Sequence, residues 1–93
     1  MEILFSDHLN RRLRMRAIAP ALPKEIFENA KERYLDAATG HEIAISTSLL
    51  YGRMREIMVA YHYEGENVKL LTIHPLKEGQ KDNRINSGRW RRI

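Results

Sequence analysis

Histidine and arginine are the side chains through which this chain could do chemistry, and His8, Arg12 and Arg16 recur at four-residue intervals near its start. On a helix that spacing stacks them on one stripe, one turn apart. A histidine with cations one and two turns away can hold a phosphate and move a proton, and the nearby positive charge favours the neutral imidazole a base needs. His8 and Arg12 are therefore candidate catalytic residues, and Arg16 is a candidate phosphate contact. His74, just before Pro75 at the end of an apolar run, is the third catalytic candidate. Its competing role is that of a buried histidine held by one hydrogen bond. His41 and His62 read as surface residues.

The other candidate contacts lie later. Arg53 and Arg55 follow the Tyr51-Gly52 turn, and Lys77, Lys81, Arg84, Arg89 and Arg91 surround Trp90 in the last stretch. Guanidinium groups with an aromatic ring can hold single-stranded nucleic acid by phosphate contact and base stacking. Alternatively, Trp90 docks this stretch onto its own domain or onto a second copy of the chain. The net charge of +4 is unevenly spread: residues 1–18 and 77–93 are basic, and the middle carries more acidic than basic groups. That asymmetry favours a polyanion or an acidic protein as partner. No metal site or cofactor is expected. The chain has no cysteine, its histidines have no paired spacing, and its five glycines are scattered rather than gathered in a phosphate loop.

The elements that must position these residues centre on a hairpin, Ile57–Tyr63 and Val68–His74, joined by Glu64-Gly65-Glu66-Asn67. A symmetric register sets Tyr61 opposite Leu70, Val59 opposite Thr72 and Ile57 opposite His74, which places His62 and His74 on opposite faces. Ser6 or Asp7 caps a helix running to about Arg16 with Leu9 and Leu13 inward. Ala19–Pro23 breaks it, and a second amphipathic helix runs from Pro23 to about Asp36. Thr39-Gly40 stops that helix. Ile43, Ile45, Thr47 and Leu49 then alternate with polar or small residues, the pattern of an edge strand with one dry face. The expected fold is α+β: two N-terminal helices packed on an antiparallel sheet of three strands, with Ile3–Phe5 as a fourth. Residues 1–76 form the domain, and 77–93 are a basic C-terminal extension with a helical turn over Gln80–Ile85.

A length of 93 residues, 43% hydrophobic and 30% charged, suits one small globular domain. No apolar run approaches the roughly 18 residues of a membrane span. The absence of cysteine suits a reducing compartment, so the expected location is the cytoplasm, away from membranes.

The order of these features is similar to that of a small bacterial and archaeal family. His8, Arg12, Arg16 and Ile18 stand for its opening, followed by Gly40, the strand from Glu42, the Gly52-Arg53 turn and the closing Thr72-Ile73-His74-Pro75. That family resembles the BrnT toxins and, more distantly, the RelE and ParE group of toxin–antitoxin systems. The likeness spans about residues 6–75 and assigns no catalytic set residue by residue. It implies two helices ahead of an antiparallel sheet, a metal-independent endoribonuclease acting on RNA, and a separate antitoxin as partner. Because RelE-like folds also serve other activities, a noncatalytic nucleic-acid-binding module and a small protein-interaction domain stand as alternatives.

Overall fold

A computed structural model describes the whole of Met1–Ile93. In chain order it contains β1 (Ile3–Phe5), α1 (Asp7–Met15), α2 (Leu22–Asn29), β2 (Glu32–Asp36), β3 (Glu42–Leu50), β4 (Arg53–Glu64), β5 (Asn67–Pro75), α3 (Gln80–Asn86) and β6 (Trp90–Arg92). The strands make one six-stranded sheet in the order β1-β5-β4-β3-β2-β6. β1 runs parallel to β5, and the other pairs are antiparallel. The class is α+β, but the sheet is mixed and wider than the expected three or four strands, and there are three helices rather than two.

α1 forms where the cap and the apolar spacing place it. The Ser6 hydroxyl accepts from the Leu9 amide at 3.0 Å, Asp7 sits in the first turn, and Leu9 and Leu13 are buried. Ala17, at φ 51°, closes the helix, and the Ile18 amide returns to the Leu13 carbonyl. α2 starts on Leu22, carries Pro23 in its first turn and buries Ile26 and Phe27, but it ends at Asn29 instead of continuing to Asp36. Residues 32–36 are instead a strand, in which Tyr34 and Asp36 are buried and Leu35 is exposed. Pairing to β3 on one side and β6 on the other outweighs the helical spacing of Ala30 and Tyr34. Thr39-Gly40 is thus the turn of a β2–β3 hairpin, with Gly40 at φ 77°.

β3 is correspondingly not an edge. It lies between β2 and β4, and Ile43, Ala44 and Ile45 are all buried. The central hairpin is present with Tyr61 opposite Leu70 as expected, but a bulge follows in which Leu71 has no partner. Beyond it Val59 pairs with Ile73 and Met58 with His74. The one-residue slip moves His74 to the face of Met58, Ala60 and His62. His62 and His74 therefore share a face. They remain four positions apart along the hairpin, about 13 Å at strand rise, too far for an acid and base pair.

The sheet separates two apolar layers. Leu9, Leu13, Ile26 and Phe27 cover Ile57, Val59, Tyr61, Leu70 and Ile73 on one face. Tyr34, Ile43, Ile45, Met58, Ala60 and Trp90 form the second layer, joined by Leu71 and Leu76. Residues 77–93 complete that layer: α3 follows β5, and β6 adds a strand to the edge of β2. Trp90 is 3% exposed and stacks with Tyr34 at 5.8 Å between ring centres. It docks onto its own domain.

Candidate functional site

Three elements bring the first group of candidates together. α1 lies over β5, with His8 and Arg16 exposed and Arg12 half-buried between them. β1 pairs with Val68–Leu70 and the Ser6 hydroxyl donates to the Leu71 carbonyl at 2.9 Å, so Thr72–Pro75 is left as an open sheet edge. At that edge Arg12 Nη1 stands 3.4 Å from His74 Nδ1. A guanidinium can only donate, so this bond requires an unprotonated Nδ1 and leaves the neutral ring's proton on Nε2. Burial lowers the His74 pKa below the ordinary 6.5, and the charges of Arg12 and Arg16, with that of His8 when it is protonated, lower it further. The arrangement is a neutral imidazole whose Nε2–H is available as a donor, set among cations. His8, Arg11, Arg12, Met15 and Arg16 line a groove of about 250 Å³ along the helix. Arg12 Nε is buried there without a hydrogen-bond partner.

The second group of candidates divides. Lys81 bonds Glu56 at 2.7 Å and Glu32 at 3.1 Å, and the Glu56 hydrogen bond leads the effects that raise its pKa. Arg89 reaches both carboxylate oxygens of the buried Asp36, at 3.1 and 3.2 Å. Burial pushes the Asp36 carboxyl up, but the Arg89 hydrogen bond, the Ala38 amide and the Arg89 charge together hold it below its ordinary value. Arg55 Nε donates to the Leu50 carbonyl at 2.7 Å, and its guanidinium lies over the Tyr51 ring. These three cations, expected on nucleic acid, are engaged within the fold. Arg91 lies on β6, five strand steps from β1 or about 24 Å across the sheet, so it does not join the α1 face. Arg53 and Lys77 are exposed, Arg53 at the β3–β4 turn, whose Tyr51 hydroxyl donates to the Arg16 carbonyl at the end of α1, and Lys77 just beyond β5. Arg84, half-buried on α3, makes no side-chain hydrogen bond or ion pair.

Sequence reasoning missed a cavity of about 330 Å³ between the second face of the sheet and α3. It is lined in part by His41, Thr72, His74, Arg84 and Trp90. His41, read as a surface residue, is half-buried there, and its ring meets that of His62 edge-to-face at 5.6 Å. The grouping depends on the bulge at Leu71 and on α3 crossing the sheet. Asp36 was also missed, although its position ahead of Thr39-Gly40 is a turn signal of the kind an Asx residue provides.

No group of three or more histidine, aspartate and glutamate side chains is placed to hold a metal ion. No helix is long and apolar enough to cross a membrane. Comparison with protein-family models, with curated proteins and with solved structures finds no match to this chain.

Proposed function

We propose that this protein binds single-stranded RNA along α1 and the open edge of β5 and cleaves it without a metal, as the RNA-cleaving toxin of a toxin–antitoxin pair. The observation that carries the reading is the meeting of Arg12 with His74 across sixty-two positions of sequence, with His8 and Arg16 close enough to act on the same imidazole. Two helices ahead of the main antiparallel strands, the order the RelE-like resemblance implies, also support it.

In this reading Arg12 and Arg16 hold the scissile phosphate. They oppose the charge that develops on its oxygens, which is the larger part of metal-free phosphodiester cleavage. His8, exposed at the head of the helix, takes the 2′-hydroxyl proton as that oxygen attacks phosphorus. The bond to the 5′ oxygen breaks, leaving a 2′,3′-cyclic phosphate and a 5′ hydroxyl that takes its proton from water. His74 donates its Nε2–H to a phosphoryl oxygen. It is not the base, because Arg12 occupies its other nitrogen. The antitoxin of this proposal is an acidic protein segment covering the same basic stripe.

An RNA cleavage assay tests the reading. Wild-type protein should generate ends with cyclic phosphate, and His8→Ala and Arg12→Ala should each lower the rate by about 10²-fold or more. One observation favours a second reading, a noncatalytic RNA-binding module: the Arg12 bond withdraws the best-placed imidazole from base duty. Binding without products in any protein preparation selects that reading and rejects the nuclease.

A further inference from the structure

Thr72 Oγ1 and Trp90 Nε1 are both buried without a hydrogen-bond partner, and both residues line the 330 Å³ cavity under α3. Folded proteins pair nearly all such groups with protein or ordered water, so the Thr72 hydroxyl, and the Trp90 N–H that Asp36 only partly engages, mark where a ligand in this cavity would supply partners. The Trp90 N–H adds to the lowering of the Asp36 pKa, yet the indole makes no full hydrogen bond to that carboxylate. The floor of the cavity is apolar, formed by Ile43, Met58 and Ala60. Its mouth carries the unpaired guanidinium of Arg84, together with His41 and His74. The size lies near the lower end of small-molecule pockets, about 300–1,000 Å³. A flat ring with a few polar edge atoms and an attached anion suits these walls; a long aliphatic chain would leave the polar groups unmet.

His74 also connects this cavity to the α1 groove, since it lines the first and bonds Arg12 of the second. A strand with one phosphate at Arg12 would therefore carry its adjoining nucleoside past the mouth of the cavity. We propose that the cavity is a base pocket: it receives one unstacked nucleobase of that RNA strand, with a neighbouring phosphate held by Arg84. The proposal rests on the RNA-binding reading above and names the substrate feature that the reading leaves open. It requires an unpaired base, so a duplex is excluded as substrate.

Trp90 is the only tryptophan of the chain, so its fluorescence reports on this cavity directly. The full chain is titrated with nucleoside 3′-monophosphates, with ribose 5-phosphate and with inorganic phosphate, and separately with a short single-stranded RNA. Saturable fluorescence changes are expected with at least one nucleotide and with the RNA, and none with ribose phosphate or phosphate. Thr72→Val keeps the side-chain shape and removes an already unpaired hydroxyl. It should weaken nucleotide binding about tenfold without lowering the melting temperature. Equal responses to nucleotides and inorganic phosphate would reduce the cavity to an anion site and overturn the proposal. RNA binding that needs Arg12 but leaves Trp90 unmoved, and is equal in Thr72→Val, overturns the base pocket while the α1 reading stands. Nucleotide binding at Trp90 with no RNA binding at all overturns that reading and the pocket's place in an RNA site with it.

Discussion

His74 is kept neutral by burial and by Arg12, Arg16 and His8, and the same causes make it a pH liability. Because its folded pKa is depressed, the unfolded chain binds the proton more readily as pH falls below about 6.5. Stability contributed by the neutral ring is complete above that value and should decline on acidification toward the lowered folded pKa. Chemical denaturation at stepped pH should show the decline in wild type and a flatter profile in His74→Gln. Arg12→Ala should raise the His74 pKa, as read by histidine NMR titration, since it removes the largest charge effect on the ring. An unchanged pKa would mean that the 3.4 Å approach of Arg12 has no electrostatic consequence. Ala17 provides a control away from the imidazole. It holds φ 51° at the end of α1, a conformation that glycine adopts without steric cost. Ala17→Gly should therefore stabilise the fold by about 1 kcal/mol in denaturant titration, with RNA binding unchanged.

At the scale of elements, what was legible in the sequence is what depends on local signals. The Ser6 cap, the Leu9–Leu13 spacing and the paired runs around Gly65 name α1 and the central hairpin correctly because each carries its own start, period and stop. Residues 32–36 were illegible for the opposite reason. Their strand state comes from neighbours supplied by Glu42–Ile45 and by Trp90–Arg92, the latter more than fifty residues away. The Leu71 bulge has no local signature either, yet it decides which face His74 occupies and hence whether Arg12 can reach it. The stripe on α1 could be read in advance; its partner on β5 could be named, but not placed. The C-terminal stretch, polar by composition, is held by Trp90 and by the Asp36–Arg89 pair. Trp90→Ala should cost about 3–5 kcal/mol of unfolding free energy, the range for removing a buried aromatic side chain. Asp36→Ala should cost about 2 kcal/mol, less than a fully buried pair because Arg89 is partly exposed. Denaturant midpoints within experimental error of wild type for both variants would mean that β6 contributes no stability to the sheet.

Across the whole molecule the basic charge is sorted by the fold rather than by sequence position. Lys81, Arg89 and Arg55 serve the fold, and Arg91 stands at the far edge of the sheet, while α1 leaves His8, Arg11, Arg12 and Arg16 along one groove. The neutral His74 links that groove around the open edge of β5 to the second face, where Arg84 adds a further positive charge. RNA affinity should therefore fall steeply with salt. Replacing Arg16 by alanine should make the slope of log affinity against log salt shallower by about 0.7, one single-strand phosphate contact. Arg91→Ala should leave that slope unchanged. That α1 and the end of β5 form one RNA-binding site is the proposal on which these predictions rest. It is tested most directly by following the ring resonances of the four histidines while a short single-stranded RNA is added. His8 and His74 should shift together from the first additions, while His62, paired with Glu64 at 2.9 Å, stays in place. Shifts confined to His62, with His8 and His74 silent at saturating RNA, would contradict the proposal.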